Sequence, residues 1–298
     1  MKPRRLASLT PVGTMCCNAL LLLFTRTQKR AWSSMMQSSI KRLAFLVVLL
    51  TLAVWKGYGI VHPAPYPLAP QDAAGKVCEV EKPTGAFSIP YVLHAGELNT
   101  DPKSATWTHA SSTWIAKNCT HQIDYSKIKT QVLGFWTDTD LYLLFISPYT
   151  ELNLWLPADN SKDRLNLWDR DVVEFFLGDD WTNIRRYREF EIAPTGDWVD
   201  LAIDLDKKSY GAEWNSGWQR LGRIDEKNRV WYSAARVPLS SVSEKKVVAG
   251  TKWRANLYRI DGRGPDSVRR FMCWQPTCVV NRDPNHVPEN FGTLNFTK

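Results

Sequence analysis

Beyond residue 60 the chain has no stretch of about 12 residues in which apolar side chains recur at helical spacing. Its hydrophobic pattern is two-fold and comes in short runs punctuated by turn residues. That excludes helical bundles and doubly wound α/β folds, both of which need longer helices. Residues 131–136 and 141–146 are β-type runs separated by Thr137-Asp138-Thr139-Asp140, which predicts a hairpin with a polar loop. Residues 171–177 (DVVEFFL) form a β-branched and aromatic run. Residues 187–193 alternate Tyr187, Glu189 and Glu191 against Arg188, Phe190 and Ile192, and Pro194-Thr195-Gly196 turns the chain into a further run at 197–204. Strands are also predicted at 229–237, 253–260, 270–274 and 292–296, with one helical turn after Pro238 at 239–243. The expected fold is all-β: an antiparallel two-sheet β-sandwich, jelly-roll or immunoglobulin-like, preceded by an N-terminal signal-anchor helix.

The charge sits apart from this body. Residues 1–60 hold nine of the 38 basic residues and no acid, so residues 61–298 carry 29 basic against 30 acidic side chains. A domain that docks phosphates needs its positive charge on the folded part, and nucleic acid is therefore not an expected partner. Residues 1–40 read as a basic extension outside the fold, with translation starting at Met1 or at Met35 or Met36. Residues 41–61 place Lys41 and Arg42 before the uncharged run LAFLVVLLTLAVW, the pattern of a signal peptide or single membrane anchor. Residues 62–76, with four prolines, are a stiff linker. The sandwich spans 77–298. This organisation predicts an exported domain, anchored in the membrane or secreted after cleavage. Cys78, Cys119, Cys273 and Cys278 are then expected as disulfides, paired Cys78–Cys119 and Cys273–Cys278.

Several segments, in order, resemble the family 9 carbohydrate-binding module and its DOMON-like relatives. They are Thr106-Trp107-Thr108-His109-Ala110, the hairpin at 133–145, the block 167–176 (LWDRDVVEFF), the stretch 187–191 (YREFE) with Pro194-Thr195-Gly196, and the closing pieces 274–277 (WQPT) and 288–292 (PENFG). The resemblance covers about residues 80–298. It implies a two-sheet sandwich that binds a poly- or oligosaccharide without catalysis, in the service of carbohydrate catabolism, often with bound calcium. On the matching positions, Trp168 is the first of two tryptophans that clamp a sugar ring, and Glu174 is an acid that takes sugar hydroxyls. This chemistry is sound in itself, since an indole offers a flat apolar face to a pyranose and carboxylates accept its hydroxyls. The alternative for Glu174 is a buried acid paired with an arginine such as Arg259 or Arg254.

The sequence departs from the family's pattern. No tryptophan stands between 278 and 290 to close the clamp. Arg282 and His286 are the planar side chains there, and with Asn290 they are expected to form the far wall. A sugar-binding arginine of the family falls on Glu191, which implies a different ligand. Asp159, Asp163, Asp169 and Asp171 surround one polar loop and are expected as calcium ligands. Three rival functions remain at this level. One is a haem-binding DOMON-type cytochrome domain using Met272 and a histidine. Another is a glycosidase hydrolysing O-glycosyl bonds through a carboxyl pair. The third is a cell-surface sandwich for protein contacts.

Overall fold

The computed structural model describes residues 85–279 and 283–298. The N-terminal extension, the apolar segment, the linker, Cys78 and Arg282 lie outside the described residues. Within them the chain is a sandwich of two sheets with almost no helix. The strands are β1 (Ala86–Ile89), β2 (Ser111–Ile115), β3 (Lys117–Asn118), β4 (Thr130–Trp136), β5 (Asp140–Pro148), β6 (Val172–Gly178), β7 (Arg186–Ile192), β8 (Trp198–Asp204), β9 (Gln219–Asp225), β10 (Val230–Pro238), β11 (Lys252–Asp261), β12 (Arg270–Cys273) and β13 (Gly292–Phe296). A single helical turn, α1 (Leu239–Val242), follows Pro238.

The larger sheet runs β1-β13-β11-β6-β7-β8, with β12 and β3 branching from β11. The smaller runs β2-β4-β5-β10-β9. Pairing is antiparallel except between β1 and β13, which run parallel; here the structure corrects the purely antiparallel expectation. The two sheets face each other across a continuous aromatic core. Phe145 of β5 meets Phe175 of β6 at 5.9 Å, and Phe175 stacks on Phe190 of β7 at 4.9 Å. Trp218 abuts both rings edge-on. Met272, the residue weighed as a haem ligand, is fully buried in this same core.

A second apolar layer covers the outer face of the larger sheet. Val172, Phe176, Tyr187, Leu201, Tyr258 and Ile260 project there and are roofed by Leu167, Trp155, Trp168 and Phe291. Strands β6, β7, β8 and β11 are thus buried on both faces, which is why 171–177 reads as a nearly unbroken apolar run.

The cystine corrects the expected pairing. Cys119 bonds Cys273, closing a separation of 154 residues, so neither Cys78–Cys119 nor Cys273–Cys278 forms. The reason is topological: β3 pairs with β12, with Lys117 opposite Cys273, bringing chain-distant cysteines to adjoining strands.

Candidate functional site

The alternation in β7 sets up the site. Phe190 and Ile192 point into the aromatic core, so Tyr187, Glu189 and Glu191 emerge on the opposite face. On β6 the same parity sends Val173, Phe175 and Leu177 inward and Glu174 outward. In the β6–β7 ladder Glu174 lies directly across from Glu191, and Phe176 across from Glu189. Three glutamates are therefore held together by strand register, and at least one oxygen from each lies within 4.8 Å of the others. All three are buried, between 0% and 2% exposed.

Among the described residues no arginine forms an ion pair with them. Arg259 projects to the opposite face, where it pairs with Asp261. Arg254 donates to the backbone carbonyls of Asp180, Arg186 and Pro288. Glu174 is instead bound by Asn285, whose Nδ2 donates to Oε2 at 2.8 Å. Burial, then the neighbouring carboxylates, pushes Glu174 and Glu191 well above the usual carboxylate range, and burial raises Glu189. As carboxylates, Glu189 and Glu191 have no donor to offer each other, and both oxygens of Glu191 lack a partner.

His286 joins this group from the loop before β13. The Tyr187 hydroxyl is hydrogen-bonded to its Nδ1 at 2.6 Å, and its Nε2 lies 3.8 Å from Glu189 and 3.6 Å from Asp283. Exposed Tyr210 packs edge-on to the imidazole. Asn290 does not reach the glutamates: its buried amide donates to the Thr277 carbonyl and closes the loop. Asn285, five residues earlier, stands where Asn290 was expected.

Trp168 sits in a 3-10 turn at Leu167–Asp169. Asn166 enters that turn in the left-handed conformation (φ 62°), which asparagine tolerates, and its carbonyl accepts from the indole of Trp155. The turn is pinned from the other side by Arg269, which donates to the carbonyls of Trp168 and Arg170. The Trp168 ring is half-buried over the outer layer, whereas Trp155 lies under the Arg170 guanidinium at 4.5 Å.

The four aspartates expected around a calcium ion do not converge. Asp159 caps its own loop through Ser161 and pairs with Lys162. Asp163 faces Asp200. Asp169 is exposed, and Asp171 is taken up by the backbone N–H groups of Asn153 and Gly262. Among the described residues Glu174, Glu189 and Glu191 are the acids that gather.

Burial and the Asp200 charge push Asp163 up to about 6. Because its folded value is raised, its contribution to stability is full below about pH 4 and fades as pH rises through about 6. Asp163→Asn is expected to flatten that part of the profile. Unfolding midpoints measured from pH 4 to 7 check this, and an unchanged slope would contradict it.

No protein-family model matches the sequence, and no curated protein is significantly similar to it. Solved structures are. A "putative carbohydrate-binding protein" from Bacteroides uniformis superposes with a TM-score of 0.56 at 17% identity, covering 71% of this chain and 98% of its own. A family 9 carbohydrate-binding module from Caldicellulosiruptor kristjanssonii in complex with cellotriose gives 0.51 at 14% identity, over 72% and 94%. A family 9 module from the same organism with glucose gives 0.50 at 13%, over 72% and 96%. The chain has the fold of these modules.

Proposed function

We propose that this chain is a non-catalytic carbohydrate-binding protein that holds an oligo- or polysaccharide over the outer face of its larger sheet. Trp168 stacks on the C–H face of a sugar, with His286 beside it, while Glu174 lies sealed beneath the floor of the site. One observation carries the reading. Trp168 and Glu174, the residues that the sequence resemblance assigns to sugar binding, cover the same face of one sheet. The shared fold with modules solved in complex with cellotriose and glucose supports it. Glu191 beside Glu174 makes the floor more acidic than the family's pattern, which favours a different glycan.

In this reading the protein serves carbohydrate catabolism, and hydrolysis of O-glycosyl bonds belongs to a separate enzyme. The domain works outside the cytosol, anchored by residues 41–61 or released after cleavage. The Cys119–Cys273 disulfide supports that placement, because such bonds persist in oxidising compartments.

Trp168→Ala is expected to weaken glycan binding at least about ten-fold, or about 1.4 kcal/mol, while leaving the fold intact. A glycan array followed by calorimetry on the best ligand checks this. Equal affinity in the variant would remove Trp168 from the site. A wild-type protein that binds no glycan would favour the protein-contact reading instead.

A further inference from the structure

We infer that Glu174, Glu189 and Glu191, together with the side-chain carbonyl of Asn285, form a binding site for a hard divalent cation of the size of calcium. The strand register places the carboxylates, and at least one oxygen of each lies within 4.8 Å of the others. That spacing suits ligands on opposite sides of an ion bound at about 2.3–2.6 Å. Four carboxylate oxygens (Glu174 Oε1, Glu189 Oε2 and both of Glu191) are sealed from solvent and without a hydrogen-bond partner.

Asn285 adds an independent observation from a different element. Its side-chain amide is aimed at the trio, with Nδ2 committed to Glu174 Oε2, and its Oδ1 is likewise buried and unpartnered. The residue is 4% exposed. Four carboxylate oxygens of the trio and the Oδ1 of the amide that touches it thus meet no hydrogen-bond donor. Buried acceptors without donors, and like charges directly opposite in a ladder, are both unfavourable. A cation relieves both at once.

The chemistry of the set narrows the ion. All donors are oxygens, and no lysine or arginine forms an ion pair with the trio among the described residues. Carboxylate and carbonyl oxygens favour calcium or magnesium over zinc or copper. Calcium's tolerance of irregular geometry fits ligands drawn from two strands and a loop better than magnesium's strict octahedron. The oxygens have no exposed surface, so the space suits a bare ion rather than a sugar ring. The inference stands apart from the sugar reading, since Trp168 lies outside the trio.

The test uses the full chain, dialysed against chelator and titrated with calcium and with magnesium at pH 7 by calorimetry and thermal unfolding. The expected result is one equivalent of bound calcium and a melting temperature raised by about 5 °C or more at saturation. Glu191→Gln is expected to lose at least ten-fold in calcium affinity and to lose the thermal response. Its ion-free form should melt no lower than the ion-free wild type, because the change removes charge and keeps volume. Glu189→Gln gives the same comparison if that variant fails to fold. Asp169→Asn, on the neighbouring exposed loop, keeps the response. A wild-type protein indifferent to both cations would overturn the site and leave protons as what neutralises the glutamates. So would a calcium response that survives Glu191→Gln or disappears in Asp169→Asn.

Discussion

Arg259→Met is expected to lower the stability of the domain by about 3–5 kcal/mol, the cost of breaking a buried ion pair from one side. Arg259 lies fully buried between the sheets. Its guanidinium donates to Asp261 at 2.9 Å, to the Ile128 carbonyl at 2.7 Å and to Thr130 Oγ1 at 3.2 Å. It also lies 5.7 Å from the centre of the Trp231 ring. Methionine fills much of the space but abandons the Ile128 carbonyl and leaves the buried Asp261 carboxylate to Arg270 alone. Arg259→Lys is expected to recover less than half of the loss, since a single ammonium cannot reproduce the planar fork. The effect extends to the ligand face. Asp261 leads into Gly262, whose N–H donates to Asp171 and whose carbonyl accepts from Asn153, and this tether holds the segment that carries Trp168. Denaturant unfolding of the three proteins measures the series. A loss below about 1 kcal/mol in Arg259→Met would mean the network is not what joins the sheets.

The second large effect concerns the cystine. Replacing both Cys119 and Cys273 with serine is expected to cost about 2–5 kcal/mol, the upper figure being the chain entropy of a closed loop of this length. The bond sits at the hinge of the roof. The Cys119 carbonyl accepts from the backbone N–H groups of Thr277 and Cys278, where the chain departs toward Asn285 and His286. The double variant should therefore keep its sheet content while amides in residues 283–291 exchange faster with solvent. Cys278 is also disulfide-bonded, so the serine pair isolates the Cys119–Cys273 contribution better than a reductant does. An unchanged unfolding midpoint would contradict the expectation.

How much of this was legible in the sequence depends on where each strand lies. Strands β4, β5, β6, β7, β10 and β11, and the end strand β8, form within a residue or two of the predicted runs, because burial on one or both faces imposes a strong apolar pattern. β1, β2, β3 and β9 were missed. All but β3 are end strands of the main sheet orders, and β3 is a two-residue branch strand. β9 (QRLGRID) has only a half-buried face and a glycine, too weak a signal to stand out. The site divides the same way. The alternation in 187–193 separates the glutamates from the core-facing residues, yet nothing along the chain marks Glu189 and Asn285 as neighbours of Glu174.

Sequence alone thus settled that this is a two-sheet β protein and which side chains share a face of each strand, because a period of two is written into consecutive residues. It did not settle which face would be roofed, which acids would meet, or how the cysteines would pair. Those depended on register between strands and on loops more than a hundred residues apart. Residue spacing along the chain carries no record of such contacts until the packed sheets bring them together.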